Sequence, residues 1–571
     1  MPGRVIVLKL GGSVLTDRDA LRRAAHEVYR WHRDGWRVGA VPSALAGVTD
    51  ARLRAAREFS PRVDPRALAA SLAIGEQHSS AELGLVLDRA GISATVLSPG
   101  AIGLRADGPP LDATPRSVDT GVITRALDEG VVIVPGFIAI GATGETVTLG
   151  RGGSDLSALF LAHALGADRC RLVKDVDGLY DRDPALPGPP PDRYRAITWA
   201  DALRLDGSIV QHKAIAFARD HGLAFEVGCF GGVDPTVVGA PASHLESVRP
   251  ERALIDVALV GLGTVGGGVH ELLGELDGFR IVGASARDLD RARAIVGPEV
   301  TVGPALEIAA CGAHIVIEAI GGVEPARAVI ARALESGSHV VTANKAVLAA
   351  HGNELRSLAE RHGVGLVASA SVGGSVAILE RLRARSGEPV RSIRGVLNGT
   401  ANFVLDRVRA GASWERAISE AQDLGLAEVD PTRDLDGRDA SDKLAVIAQA
   451  LEVDGVVASA IPRDPLSRER IARADAHDRV IRHVARLDVK AGVGRASVRL
   501  ESIGPDDALF DVREEHNAAV IEWADGSREV VRGRGAGRWP TAEAVIGDVL
   551  EVAREIGWIR SVREEVLDGT A

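Results

Sequence analysis

The 571-residue chain reads as an α/β protein built from several domains. Three observations predict this. Short runs rich in Val and Ile alternate with stretches of helical period, as in the opening RVIVLKL. The composition, 46% hydrophobic and 25% charged with 65 glycines, suits a soluble α/β protein. A strand, a glycine turn and a helix begin afresh in mid chain, in ALIDVALVGLGTVGGGVHELL at residues 253–273. At about 100 to 200 residues per domain, the length allows about three to five domains.

The same composition excludes several functions. A formal net charge of −11 argues against nucleic acid as a partner. Cys170, Cys229 and Cys311 lie far apart without a CxxC pair, so neither a disulfide framework nor a cysteine zinc site is expected. MPGRVIVLKLGG lacks the charged start and long apolar stretch of a signal peptide, and no apolar run reaches about 18 residues. A cytoplasmic protein with no membrane partner is expected. Only six of the 67 basic residues are lysines: Lys9, Lys174, Lys213, Lys345, Lys443 and Lys490. Where charge is usually written as arginine, each lysine marks a place where a compact amine with a tunable pKa has a use.

In chain order, RVIVLKL predicts the first strand, the apolar run VVIVPGFIAI (131–140) a later one, and CRLVKDVDGLY (170–180) a strand running into a loop. The proline cluster ALPGPPPDR (185–193) predicts a surface loop. GGVDPTVVGAPASHLESVRPE (231–251) has no sustained helical period and suits a domain join, with the boundary near residue 250. Beyond it, GLGTVG (261–266) fits GxGxxG between a strand and a helix, where glycines let backbone approach a pyrophosphate at a helix N-terminus. FRIVGASARD (279–288) predicts the second strand, with Arg287 at its end where an arginine suits a 2′-phosphate; Asp288 follows directly, so NAD stays possible beside NADP. HIVIEAIGG (314–322) and HVVTANKAVLA (339–349) predict two more strands, the latter running into a helix headed by Lys345. Asp439 and Lys443, spaced i, i+4 at the start of an apolar helical pattern, are predicted to share one helix face.

These motifs, with SASVGGSVAI (369–378), VLNGTANFVL (396–405), the acidic run EVDPTRDLDGRDASDK (428–443) and GRGAGRWPTAEAVIGDVL (533–550), resemble the homoserine dehydrogenase family over residues 253–571. The resemblance implies reduction of L-aspartate 4-semialdehyde to L-homoserine, in threonine and methionine biosynthesis. It implies that Glu428 and Asp439 bind homoserine together with the Asn398, Gly399 and Thr400 loop, that Asp434 shapes the pocket, and that Lys443 donates the proton, with Lys345 near the same oxygen. NADP is expected against Gly261, Gly263, Thr264, Val265, Gly266, Arg287, Ile320, Gly321, Lys345, Gly535 and Gly537. Several family members hold Na⁺ or K⁺ through main-chain carbonyls, which implies ligands at Ser369, Val372, Gly374 and Val376; Ser369 stands where the family usually has an acid, and Ala377 where it has a proline.

The first half carries VLKLGGSVL (7–15), IGEQHSSAEL (74–83), GFIAIGATGETVTLGRGGSDLSAL (136–159) and KDVDGLYDRDP (174–184), and resembles the aspartate kinase branch of the amino acid kinase family over residues 1 to about 230. By that resemblance Lys9, with Gly11, Gly12 and Ser13, meets ATP phosphates; Glu76 and Arg151 grip aspartate; Gly153, Ser154 and Asp155 line the transfer site; and Asp175, Asp177, Tyr180 and Asp183 border the nucleotide, with Mg²⁺ implied. Three departures are visible: a family Thr-Ser pair shrinks to Ser13, Lys174 replaces a small hydroxyl residue, and Ser208 stands where the family has a nucleotide-binding lysine, with Lys213 five residues on as a substitute. Two readings therefore stay open, a working kinase or a degenerate domain kept for binding or oligomerisation.

The expected architecture is an amino-acid-kinase α/β/α sandwich (1–230), a linker (231–252), an NADP-binding Rossmann domain (253–390), an inserted α+β catalytic and dimerisation domain (391–532) and a return to the Rossmann domain (533–571). The family resemblance implies a homodimer or homotetramer acting on small molecules. The join leaves no room for a pair of regulatory ACT modules, so feedback by threonine is expected to be absent.

Overall fold

The protein was analysed as a computed structural model, and the structure describes residues 4–60, 62–183, 186, 191–232, 234–247, 254–276, 278–468, 471 and 479–556. Most of the predicted proline loop (185 and 187–190), the expected boundary near residue 250 and residues 557–571 lie outside the described residues. The chain divides into two compact units, with the change at Arg252 and Ala253.

The first unit is a three-layer sandwich. Its ten-stranded sheet has a parallel centre in the order Ala94–Val96, Val131–Ile133, Arg37–Pro42, Val5–Leu10, Arg169–Val173, Phe225–Gly228. Strand alternation sorts the side chains of Val5–Leu10 between two faces. Ile6, Leu8 and Leu10 pack with the helices Arg18–Arg33 and Pro65–Arg89, whereas Val7 packs with Thr120–Glu129, Gly153–Leu165 and His212–Asp220. Asp17 caps the first of these helices by accepting from the Ala20 N–H, and Asp64 caps the next, with Pro65 at its first position. A smaller sheet joins Thr114–Ser117, Arg105–Asp107, Ile138–Ile140 and Thr146–Thr148.

Two expectations are corrected here. The run 131–140 forms two strands in different sheets, Val131–Ile133 and Ile138–Ile140, because Pro135 cannot donate to a ladder and Phe137 takes a left-handed φ of 67°. The stretch 231–252, expected to be a linker, contributes Thr236–Val238 and His244–Ser247 to the large sheet, where Val237 and Val238 are fully buried. These strands are short, and their β-branched content was outweighed by glycine and proline in the linear reading.

In the second unit six parallel strands run in the order Thr301–Val302, Phe279–Ser285, Ile255–Val260, Ile315–Glu318, His339–Thr342, Leu366–Val367. This is the doubly wound order 3-2-1-4-5-6, which opens a crevice at the carboxyl ends of the central strands. A five-stranded antiparallel sheet follows, in the order Val493–Ile503, Val480–Lys490, Val390–Val396, His516–Trp523, Arg528–Arg534. The helix Arg438–Ala450 lies between this sheet and the helix Lys345–His362, burying Leu444 and Ile447 completely. Each such side chain contributes about 2 kcal/mol by burial. Gly352 permits the close crossing, since a Cβ there would meet Gln449 Oε1 at 2.1 Å. The last helix, Arg538–Glu555, returns to the parallel sheet's side: Arg538 pairs with Glu271, and Asp548 accepts from the Ser369 N–H at 2.8 Å.

Candidate functional site

In the second unit the glycine turn divides its labour. Gly261 has φ +107°, and a Cβ there would meet Ala319 O at 2.6 Å. At Gly266 a Cβ would meet Gly261 O at 1.7 Å, so the helix Thr264–Leu273 seats on the strand only without a side chain. Gly263 is different: a Cβ there meets nothing within 4 Å, which leaves open space ahead of the helix N-terminus. Such a cradle fits the pyrophosphate of a dinucleotide. Thr264 and Val265 form the first helical positions. Arg287 is exposed at the end of the second strand, while the Asp288 carboxylate caps the helix Leu289–Val296, accepting from the Asp290 and Arg291 N–H groups at 3.1 and 3.0 Å. Gly535 faces Asn517, where a Cβ would meet Nδ2 at 1.9 Å, and Gly537 has φ +122°.

The crevice is organised by Glu318, which the sequence reading missed. Its fully buried carboxylate accepts from the Ile320 N–H at 2.7 Å, the Gly321 N–H at 3.4 Å, Thr342 Oγ1 at 2.5 Å and Asn344 Nδ2 at 3.5 Å. It thereby ties the turn after the fourth strand to the turn that ends at Lys345. The signal was an acid closing the apolar strand IVIE directly before two glycines.

Lys345 leads to Asp439, the centre of the second site. The Asp439 carboxylate pairs with Lys345 Nζ at 2.8 Å and Lys443 Nζ at 2.9 Å, and accepts from Asn398 Nδ2 at 2.8 Å. Asn398 also donates to Asp434 at 2.7 Å and caps the helix Gly399–Arg409 through Ala401. Lys443 donates to Leu397 O at 2.5 Å. Burial alone would raise the Asp439 carboxyl, but the Lys443 and Lys345 ammoniums outweigh it and hold the group well below the usual range. Asp439 is the main cause that raises Lys345, while burial first, and then the Asp439 charge, pushes Asp434 upward. Lys443 is buried, with 6% of its side chain exposed, whereas Lys345 is 39% exposed toward the crevice side.

Gly399 is explained by backbone approach, since a Cβ there would meet Glu515 O at 2.5 Å, and Thr400 Oγ1 donates to Leu426 O at 2.6 Å. The structure does not bring Glu428 into this cluster: its carboxylate is exposed, on a loop held through its main-chain oxygen by Gln422. The four implied cation ligands lie among main-chain contacts of their own. The Ser369 and Val376 carbonyls accept from the Val372 and Ile378 N–H groups at 3.1 and 2.7 Å, Gly374 is pressed against Arg534 O, and Arg383 donates to Ser369 Oγ at 2.5 Å. That guanidinium stands at the Ser369 side chain, where it opposes a cation held by that side chain.

The first unit holds a similar cluster. Lys9 is the last residue but one of the first strand, and Lys174 directly follows the neighbouring strand, Arg169–Val173. Lys9 Nζ lies 2.7 Å and Lys174 Nζ 2.9 Å from the Asp155 carboxylate, on the first turn of Gly153–Leu165. Gly11 leaves room for the amine, since a Cβ there would meet Lys9 Nζ at 2.8 Å; Ser13 Oγ lies close by. Burial pushes the Lys9 amine down to about 8 against the pull of Asp155. Gly12 approaches the Ala44 backbone, whose N–H donates to Glu76. Glu76 is buried with Oε2 lacking a hydrogen-bond partner, and burial pushes its carboxyl up to about 7. Arg151 is exposed just before this helix, with Ser154 behind it against Gly136. Tyr180 donates to Asp177 at 2.5 Å, and Asp175 and Asp183 are exposed. Lys213, expected as a substitute phosphate ligand, instead ties Asp112 Oδ1 at 2.7 Å to the Ala113 and Leu149 carbonyls, both at 3.1 Å.

Comparison with known proteins agrees with this division. The amino acid kinase family model matches residues 4–224, the homoserine dehydrogenase NAD binding domain residues 261–368, and the homoserine dehydrogenase model residues 378–550. The homoserine dehydrogenase of Synechocystis sp. is 35% identical over 318 residues, covering 52% of this chain and 73% of that protein. That of Corynebacterium glutamicum is 34% identical over 338 residues, covering 56% and 76%. A crystal structure of a homoserine dehydrogenase from Thiobacillus denitrificans superimposes with a TM-score of 0.51 at 31% identity, covering 54% of this chain and 75% of that one. With a nicotinamide dinucleotide cradle, an aspartate held between two lysines beside it and these relatives, the chain belongs to the homoserine dehydrogenase family, its dehydrogenase half preceded by an amino acid kinase domain.

Proposed function

We propose that the second unit interconverts L-aspartate 4-semialdehyde and L-homoserine with NADP in preference to NAD, and that the first unit transfers the γ-phosphoryl group of ATP to L-aspartate. The observation that carries the first part is Asp439, gripped by Lys345, Lys443 and Asn398 next to the crevice. When bound, the reduced dinucleotide supplies a hydride. A carbonyl carbon that takes one leaves an alkoxide, and Lys443 is assigned as the donor of its proton, with Lys345 as a second positive charge. Asp439 holds both amines in place and is assigned to the substrate, with Asp434 shaping the pocket through their shared Asn398. NADP is favoured because Asp288 is spent on a helix cap while Arg287 stands exposed.

For the first unit the reading is supported by Glu76, a buried acid with an oxygen left open, which suits a substrate ammonium, and by Lys9. Mg²⁺ is assigned to the nucleotide. Assembly as a homodimer or homotetramer, and a cytoplasmic setting, remain part of this proposal; among the described residues no helix is long and apolar enough to cross a membrane. The test is homoserine oxidation by the purified protein with either dinucleotide. Arg287→Ala is expected to raise KM for NADP at least about tenfold, the loss of one charge-assisted contact, and to leave KM for NAD unchanged. Equal effects on both remove Arg287 from cofactor selection. Aspartyl phosphate trapped as its hydroxamate, and abolished by Lys9→Ala, establishes the kinase.

A further inference from the structure

We propose that Lys174 is the second phosphate-binding lysine of the kinase unit, facing the transferred phosphoryl group together with Lys9 and replacing the lysine that Ser208 lacks. The inference rests on the phosphotransferase reading above and concerns how this chain performs it without that lysine.

Topology puts the two amines side by side. The strands Val5–Leu10 and Arg169–Val173 are parallel neighbours with Lys9 opposite Leu172, so Lys9 and Lys174 stand at the same carboxyl edge two residues out of step, an offset that keeps the strand's side-chain alternation in phase. Both amines bridge Asp155, at 2.7 and 2.9 Å, and all three side chains are buried, with 6%, 9% and 4% exposed. Two ammoniums against one carboxylate leave one positive charge in excess inside the protein, an arrangement that is costly until an anion arrives. The 13-residue helix Gly153–Leu165 starts at the same place and adds the positive end of its dipole.

The other candidates are engaged elsewhere. Ser208 is exposed, its N–H given to Asp206, and Lys213 is held by Asp112 and two carbonyls. In a chain with six lysines among 67 basic residues, two buried lysines on one buried aspartate are a specific placement.

In the transfer, the bond between the γ-phosphorus and the bridging oxygen of ADP breaks as a bond to a substrate carboxylate oxygen forms. The carboxylate is already ionised, so no proton has to leave. What the protein must supply is positive charge around the equatorial oxygens, and Lys9 and Lys174 supply it as a pair that Asp155 holds together.

The experiment compares the full-length protein with Lys174→Met, using calorimetry with Mg·AMP-PNP and with Mg·ADP, and hydroxamate trapping with aspartate and Mg·ATP. The expected result is an AMP-PNP affinity at least about tenfold weaker with ADP affinity unchanged, as one lost charge-assisted contact to the γ-phosphate requires. Unchanged ADP binding also shows that the unit is folded. If both nucleotides weaken equally, or neither does, Lys174 is structural and the proposal falls. If the wild-type protein yields no hydroxamate while the AMP-PNP difference holds, aspartate is the wrong acceptor and Lys174 keeps its role. Wild-type protein that binds neither nucleotide overturns both.

Discussion

Four of the six lysines are arranged as two pairs, each around one buried aspartate: Lys9 and Lys174 on Asp155, Lys345 and Lys443 on Asp439. In both, the carboxylate is a clamp that fixes two amines, and on the proposed reading their charge serves a developing oxyanion or a phosphoryl group. Lys443→Arg keeps the charge but puts a planar, permanently protonated group where a proton must move. It is expected to lower kcat for homoserine oxidation by about 10² to 10⁴ while leaving the Kd of NADP within about twofold; an unchanged kcat removes Lys443 from proton transfer. Glu76 gives a pH dependence. Burial pushes its carboxyl from the ordinary 4.5 up to about 7, so the stability it contributes is complete below the lower figure and is lost as pH rises through about 7. Gripping an ammonium needs the ionised form, so KM for aspartate is expected to fall as pH rises from 6 to 8, and Glu76→Gln to flatten that profile at high KM. A profile that Glu76→Gln leaves intact assigns the ammonium to another group.

At the scale of elements, the dinucleotide turn separates glycines that serve folding from one that serves binding. Gly266→Ala places a methyl group against Gly261 O at a distance no backbone tolerates, whereas Gly263→Ala points its methyl group into open space. Gly266→Ala is expected to lower the Tm and abolish cofactor binding together. Gly263→Ala is expected to leave the Tm within about 1 °C, a near-neutral surface change, and to weaken NADP binding at least about tenfold through lost backbone approach to the pyrophosphate. Thermal scans with and without NADP check both; a Gly263→Ala protein with wild-type affinity would show that the cradle is not the phosphate seat. The acidic run 428–443 became the loop around Val429, the short helix Thr432–Leu435 and the helix Arg438–Ala450; the last puts Asp439 in direct contact with both lysines, and the short helix brings Asp434 to the same Asn398. A helix brings residues four apart together, but a loop carries Glu428 wherever its own contacts lead, which is why Asp439 was legible and the surroundings of Glu428 were not.

For the whole molecule, an amino acid kinase domain and a dehydrogenase half share one chain with a short join, and within 231–247 the strands Thr236–Val238 and His244–Ser247 already belong to the first sheet. Threonine at physiological concentration is therefore expected to leave both activities unchanged. Inhibition in a titration of either assay would locate a threonine site within the two units. On the proposed activities, direct passage of a product between the halves is not implied, because an acyl phosphate must be reduced to the aldehyde before the second unit can act on it.

The sequence by itself determined the two-part α/β plan, the dinucleotide turn, the pairing of Asp439 with Lys443, and the importance of an unusual set of lysines. Those features are local: they follow from periods of two and 3.6, from glycines at fixed spacing and from residue scarcity. Only the tertiary structure decided that Lys345 completes the Asp439 cluster, that Glu318 ties two turns of the crevice together, that Arg383 occupies the neighbourhood of the expected cation, and that Lys174 rather than Lys213 stands beside Lys9. Each of these depends on which strand lies beside which, and strand order is set by packing across the sheet between residues far apart in the chain.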